Sequence, residues 1–298
     1  MVPVTPKWTD PDAPWWAKMR RAQVHIDRVR EELDGMTRNP PWSVEPEPGR
    51  RANETAYRLR VVSSVPVDLV TVVGDAVHNM RSALDTIAYA LACDHLGRAL
   101  TEDEESATQF PICKDAGFST FFARNRRAQL YGPRQQLALR CVQPFALTEE
   151  AAKLGVVSAT TPEDDRDSDT IYRLHQVSNI DKHRRLPLLA WFPGIVYWAG
   201  NEGQSYKWEP VAREFRDGTV LGYLSDPTGD APPAVQVFAE MKLALMDDLV
   251  RDWDVAECLT AWHRGLTQWT LPRLFIVASG NAPPMMITHK EVASDSEH

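Results

Sequence analysis

The chain contains 298 residues, of which 43% are hydrophobic and 25% are charged, and its formal net charge is -8. This composition is typical of a globular protein with a sizeable core, and the length allows one large domain or two small ones. The acidic balance argues against broad binding to duplex DNA, which depends on many Lys and Arg contacts to phosphate.

Cysteine usage and hydropathy narrow the class of protein further. The four cysteines are scattered without CxxC spacing, which argues against a disulfide scaffold or a zinc finger. No run of 18 apolar residues occurs, and the N-terminal segment lacks an apolar leader. We therefore expect no membrane partner and a cytoplasmic location.

The first two thirds of the chain read mainly as helices. Hydrophobic spacing predicts helices over 14–35, 67–96, 115–127, 133–142 and 169–186. The proline-rich segment 37–54 is predicted to be a loop or linker, and 57–65 a short strand or extended arm. An acidic, flexible loop is expected around 100–112, and a charged loop at 158–169.

After Pro187 the sequence becomes aromatic and β-branched. We predict an antiparallel sheet of three to five strands over 188–242, with a hairpin signal at Asp217-Gly218. A final helix is predicted over 255–275, with Leu259, Trp262, Leu266 and Trp269 on one face. The predicted fold is α+β, a helical bundle with an antiparallel sheet inserted before its C-terminal helix. Residues 1–280 are predicted to form a single domain (bundle 14–187 and 255–275, sheet 188–242), and residues 281–298 a flexible tail.

One face of the 67–96 helix is unusual in its polar residues. His78, Arg81, Ser82, Asp85 and Tyr89 fall on one side, opposite an apolar stripe. Apart from Arg81, these residues are poorer helix formers than the Glu, Lys, Gln and Arg that usually make up a solvated face. The spacing predicts hydrogen bonds between Arg81 and Asp85 and between His78 and Ser82, in either a buried polar network or an active site.

A second polar cluster, NIDKHRR, spans 179–185. On a continuous helix Asp181 lies near Leu174 and Val177, on the apolar face. A buried carboxylate needs a cation, so we expect Asp181 to pair with Arg81, or with Arg184 as the local alternative.

The two clusters together resemble a family of bacterial proteins that is frequent in actinobacteria. The matching residues are GDxxHNxRSALD (74–85) and DKHR (181–184), and QPF (143–145) also fits the pattern. This resemblance extends over about 66–190 and implies no particular activity.

The helical part is also similar to the HEPN superfamily of helical bundles, many of which are metal-independent RNases of toxin and antiviral systems. Their hallmark is an arginine followed by a histidine four to six residues later. No arginine stands at that spacing before His183, whereas Arg20 and His25 fit it on the first helix.

RNA cleavage is the first functional hypothesis that follows. It needs a base, an acid and cations for the developing phosphorane charge. His78 and His183 are the predicted base and acid, and Asp85 or Asp181 would orient a partner. Arg81 and the substrate-binding residues Lys182, Arg184 and Asn79 would contact RNA, and no metal or other cofactor is required.

Two alternatives remain open. A metal site in the bundle would use ligands among His78, Asp85, His175 and His183. A non-catalytic interaction protein would use Arg81, Asp85, Asp181 and His183 as a structural network between helices. Its partner, another protein or a second copy of the chain, would bind aromatic residues of the sheet among Trp191, Tyr197, Trp198, Tyr206, Trp208 and Tyr223.

Overall fold

The structure is a computed structural model, and it describes most of the helical and strand segments of the chain. The described residues are 8–113, 117–123, 127–146, 170–182, 189–199, 206–211, 217–226, 235–245 and 253–281. The predicted loop at 158–169 lies outside them, and so does the predicted tail apart from residue 281.

The chain divides into two compact units. Unit 1 consists of residues 1–25, 75–184 and 259–298, and unit 2 consists of residues 26–74 and 185–258. Each unit is assembled from separate stretches of sequence. The single domain over 1–280 stays a prediction.

The described helices follow the sequence prediction closely for the longer elements. They are α1 (Pro14–Arg38), α2 (Val67–Leu96), α3 (Glu102–Ala107), α4 (Gly117–Ala123), α5 (Arg127–Leu130), α6 (Pro133–Arg140), α7 (Thr170–Lys182), α8 (Val255–Gly265) and α9 (Leu271–Ala278). A π-helical turn over Leu266–Thr270 connects α8 to α9. The predicted flexible loop near residue 105 is wrong in part, because Thr101 and Glu104 form a reciprocal capping box that starts α3.

Unit 2 contains two antiparallel sheets. One has the strand order β1 (Trp42–Pro48), β2 (Glu54–Val61), β5 (Val220–Ser225), β4 (Lys207–Pro210), and the other pairs β3 (Leu189–Ala199) with β6 (Gln236–Leu245). The strands on either side of Asp217-Gly218 are antiparallel, and Gly218 has a left-handed φ of 81°. This confirms the hairpin signal and, with the helices, the α+β fold class.

The prediction of a loop over 37–54 is wrong for the residues of β1. Trp42 and Val44 turn towards the core while Glu45 and Glu47 turn away, so the strand has the expected period of two. Its prolines are tolerated because β1 is an edge strand, where a missing N–H leaves no ladder bond unmade. The sheet therefore includes residues well before 188.

The core of unit 2 lies between the two sheets. Tyr57 of β2 packs with Leu224, Val235 and Val237. The Tyr57 hydroxyl donates a hydrogen bond to the Val235 carbonyl at 2.6 Å, which satisfies its polar atom inside the core. Burial raises the pKa of Tyr57.

The π-helical turn changes which residues of the C-terminal segment face the core. Leu259, Trp262 and Leu266 are buried as the sequence predicts, but Trp269 is 59% exposed. A π turn contains more residues than an α turn, so the next buried position is five residues after Leu266, at Leu271. The expectation that Trp269 shares the buried face is wrong for this reason.

Candidate functional site

The polar face of α2 contacts other protein segments in unit 1. Ser82 Oγ accepts a hydrogen bond from Lys18 Nζ of α1 at 2.6 Å. The Tyr89 hydroxyl donates to Glu105 Oε1 of α3 at 3.4 Å. This face therefore makes hydrogen bonds to two neighbouring helices and is partly exposed to solvent.

Arg81 and Asp85 hold both polar backbone groups of Phe110. Arg81 Nη2 donates to the Phe110 carbonyl at 3.0 Å and lies 3.0 Å from Asp85 Oδ1. The Phe110 N–H donates to the same Asp85 oxygen at 3.0 Å. The predicted Arg81–Asp85 pair is thus confirmed, and it closes a ring around a single buried residue.

The two charged side chains differ in their access to water. The side chain of Arg81 is only 2% exposed, whereas that of Asp85 is 35% exposed. Burial lowers the pKa of Arg81, and the neighbouring Asp85 carboxylate opposes that shift. Among the described residues, Arg81 Nε and Nη1 have no hydrogen-bond partner.

Gln143 holds the next residues of the same extended segment. Its side-chain Nε2 donates to the Pro111 carbonyl at 3.0 Å and to the Leu139 carbonyl at 2.9 Å, and its Oε1 accepts from the Cys113 N–H at 3.0 Å. Gln143 is completely buried. We call Arg81, Asp85 and Gln143 the backbone clamp, because all three bind main-chain groups of residues 110–113.

His78 and Asn79 lie outside the clamp. His78 is exposed, and among the described residues it makes no hydrogen bond to Ser82, whose hydroxyl accepts from Lys18, so that prediction is wrong. Asn79 Nδ2 donates to the Asp75 carbonyl at 2.7 Å, one turn back in its own helix. Of the predicted site residues on α2, the structure brings together Arg81 and Asp85 only.

The second predicted cluster lies at the end of α7. His175 Nε2 and Asn179 Nδ2 are 3.0 Å apart, so these two residues share a helix face. The helix continues to Lys182, but only the backbone of Asp181 and Lys182 is described, and His183 and Arg184 lie outside the described residues. The pairing of Asp181 with Arg81 stays a prediction.

The Arg20–His25 pair has the HEPN-like spacing, but its two side chains occupy different surroundings. Arg20 is exposed and donates to the Pro11 carbonyl at 2.7 Å, whereas His25 is buried.

Within the described segments, no group of three or more His, Cys, Asp and Glu side chains is placed to hold a metal ion. None of the helices described combines the length and apolar character needed to cross a lipid bilayer.

Sequence reasoning missed the role of Gln143 and of the segment it binds. The segment 108–113 reads as loop, yet its backbone groups are bound by Arg81 and Asp85 of α2 and by Gln143. In the sequence, Gln143 belongs only to the QPF family pattern. Its role follows from the structure, where a buried amide must satisfy both its donor and its acceptor atoms.

Comparisons with known proteins returned no relatives. No family model matches the chain, and neither the curated proteins nor the solved structures contain a match.

Proposed function

We propose that this chain is a non-catalytic interaction or structural protein in which the polar motif of α2 serves the fold. The observation that supports this proposal is the backbone clamp: Arg81, Asp85 and Gln143 direct their hydrogen bonds to main-chain atoms. A catalytic arginine must reach its substrate, whereas the Arg81 side chain is 2% exposed.

The physical purpose of such a clamp is to satisfy buried backbone groups outside regular structure. Phe110 is 1% exposed and belongs to neither a helix nor a strand. Its N–H and C=O would each lose a hydrogen bond on burial, and an unsatisfied buried group costs about 1–3 kcal/mol. The charged pair supplies both partners.

The proposal is tested by Arg81→Met, which keeps the length of the side chain and removes its charge. We expect the free energy of unfolding to fall by about 2–4 kcal/mol, since Asp85 and the Phe110 carbonyl lose a partner. Arg264→Met is the matched control in unit 1, because Arg264 is exposed, and it should change stability by less than about 0.5 kcal/mol. Urea denaturation measures both, and equal stability of the two variants would remove the proposed structural role.

A second candidate is metal-independent cleavage of RNA, as in HEPN-like enzymes of toxin or antiviral systems. The observation in its favour is that His78 is exposed on α2, one turn from Arg81. An accessible histidine can exchange a proton with a ribose hydroxyl. In this candidate His183, Lys182 and Arg184 supply the acid and the phosphate contacts, and Asp181 orients one of them.

Cleavage of a single-stranded RNA in the presence of EDTA tests this second candidate. His78→Gln should reduce the rate at least about a hundredfold if His78 is the base. His95→Gln is the matched control, an exposed histidine near the end of the same helix. Absence of cleavage by the wild-type protein would exclude the RNase, and the cytoplasmic location stays a prediction under either candidate.

A further inference from the structure

Three aromatic side chains of unit 1 surround the ring of a fourth. Trp15 and Trp16 lie in the first turn of α1, and Phe275 lies in α9. The Trp8 ring stacks on the Phe275 ring, with centroids 5.3 Å apart at an angle of 19°, and its centroid lies 5.6 Å from that of Trp15. The Phe275 ring is also 5.8 Å from the Trp15 ring and 6.1 Å from the Trp16 ring. We call Trp15, Trp16 and Phe275 the aromatic slot, which Trp8 occupies.

The segment that carries Trp8, residues 8–13, forms turns instead of a helix or a strand. The Ala13 N–H donates to the Asp10 carbonyl at 3.1 Å, within the segment itself. Arg20 of α1 donates to the Pro11 carbonyl at 2.7 Å in an exposed position. Local opening of this segment would break few described interactions apart from the burial of Trp8 and Ala13. We therefore expect opening to cost much less free energy than global unfolding.

The aromatic slot contains a buried hydrogen-bond donor without an acceptor. The Trp15 side chain is 4% exposed, and among the described residues its Nε1 has no hydrogen-bond partner. Buried indole N–H groups usually have a partner, and an unsatisfied one costs free energy. Trp8 thus covers the apolar surface of the slot and leaves this polar atom unpaired. A ligand that combines an indole ring with a hydrogen-bond acceptor would complement the slot better than Trp8 does.

We propose that the aromatic slot binds a tryptophan-containing peptide of a partner protein, and that Trp8 occupies the slot as an autoinhibitory contact. The indole of the partner would replace that of Trp8 against Phe275, and a main-chain carbonyl of the peptide would accept from Trp15 Nε1. Tryptophan is also among the residues that most often anchor protein interfaces. The proposal rests on the interaction role proposed above but not on the backbone clamp, so Arg81→Met and the experiments below can fail separately.

N-acetyl-tryptophanamide is the probe for the slot, because it combines an indole ring with amide carbonyls. Trp8→Ala vacates the slot, so this variant should bind the probe at millimolar concentration in an NMR titration. The wild-type protein should bind it at least about tenfold more weakly, since its slot is open in only a fraction of the molecules. Trp269→Ala is the matched control and should bind like the wild type, because it removes an exposed tryptophan of unit 1 and leaves Trp8 in place. Equal affinity of the wild type and Trp8→Ala would overturn the proposal.

A second ligand tests the hydrogen bond from Trp15. 3-Methylindole has the ring of the probe but no carbonyl, so Trp8→Ala should bind it about fivefold more weakly. The indole N–H signal of Trp15 should also shift more with the probe than with 3-methylindole. Trp15→Phe, added to Trp8→Ala, keeps an aromatic wall and removes the donor, and it should abolish the preference. A preference that survives this substitution would contradict the proposal.

Trp8→Leu is the second variant if Trp8→Ala does not fold, because leucine keeps more of the apolar contact with the slot. It should still bind N-acetyl-tryptophanamide more tightly than the wild type does. If neither variant folds, Trp8 belongs to the core and cannot be displaced, and the proposal is wrong.

Discussion

Single side chains in this protein perform roles that their spacing alone predicts only in part. The i, i+4 spacing of Arg81 and Asp85 predicts their pairing, and the structure has it at 3.0 Å. The spacing does not predict that Phe110 binds this pair, because Phe110 lies 25 residues from Asp85 along the chain. Local sequence patterns carry no information on such a long-range partner.

Removal of the Asp85 carboxylate should expose the Phe110 amide to exchange. In Asp85→Ala the Phe110 N–H loses its acceptor, so its hydrogen exchange should be faster than in the wild type by about tenfold or more. Residue-resolved exchange followed by NMR measures this rate. The Cys113 amide, which Gln143 holds, is the internal control, and unchanged protection at Phe110 would contradict the clamp.

The carboxyl group of Glu104 should titrate far below its ordinary range. A salt bridge from Arg98 at 2.7 Å, and then the Thr101 N–H, lower the pKa of Glu104 from 4.5 to about 2. Because the folded-state pKa is the lower one, this group stabilises the fold above about pH 4.5 and loses that contribution as the pH falls towards 2.

NMR titration of the Glu104 carboxyl carbon checks this value. Arg98→Gln should raise the pKa towards 4.5 while leaving it below 4.5, because the Thr101 N–H still donates to the carboxylate. A midpoint near 4.5 in the wild type would show that Arg98 does not hold Glu104 in solution.

Whole elements show where sequence periodicity succeeds and where it fails. The period of α2 correctly predicts that Val77, Met80, Leu84 and Ile87 are buried. In β1 Trp42 and Val44 alternate with residues on the opposite face such as Glu45 and Glu47, but the prolines of this segment favour a loop prediction. Those prolines are compatible with a strand at the edge of a sheet, and the edge position is known only once the strands are paired.

For the C-terminal segment, the prediction of the buried face fails for a different reason. Pro272 has no N–H to donate to the carbonyl four residues earlier, and its ring disfavours a regular α turn there. The N–H of Leu271 donates instead to the carbonyl of Leu266, five residues back. A helical wheel assumes a constant period and therefore assigns Trp269 to the wrong face.

Because the π turn shifts the helical period, Trp262 and Trp269 should contribute unequally to the free energy of unfolding. Trp262→Ala should reduce the free energy of unfolding by about 3–5 kcal/mol, because Trp262 is 1% exposed. Trp269→Ala should cost about 0.5 kcal/mol, since that side chain is mostly in water. Urea denaturation of the two variants compares them directly, and similar losses would mean that the helix keeps a regular α period in solution.

At the scale of the whole molecule, the sequence predicts the class of fold better than it predicts the division of the chain into two units. The α+β class follows from composition and period, which are local properties. The two units combine segments that are far apart in sequence, such as 26–74 with 185–258. The pairing of β2 with β5, more than 150 residues apart, is likewise a long-range choice that local patterns do not encode.

The net charge of the chain predicts weak binding to duplex DNA. With a formal charge of -8, the protein should not bind a random 20-base-pair duplex at 0.15 M salt with a Kd below about 100 μM, because its excess of carboxylates repels the phosphate backbone. Fluorescence anisotropy of labelled duplex DNA measures this affinity, and a single-stranded RNA of equal length tests the RNase candidate in parallel. Micromolar binding to the duplex, with an affinity that falls steeply as salt increases, would reveal a basic surface that outweighs the net charge. Binding to RNA alone would instead favour the RNase candidate over the interaction protein.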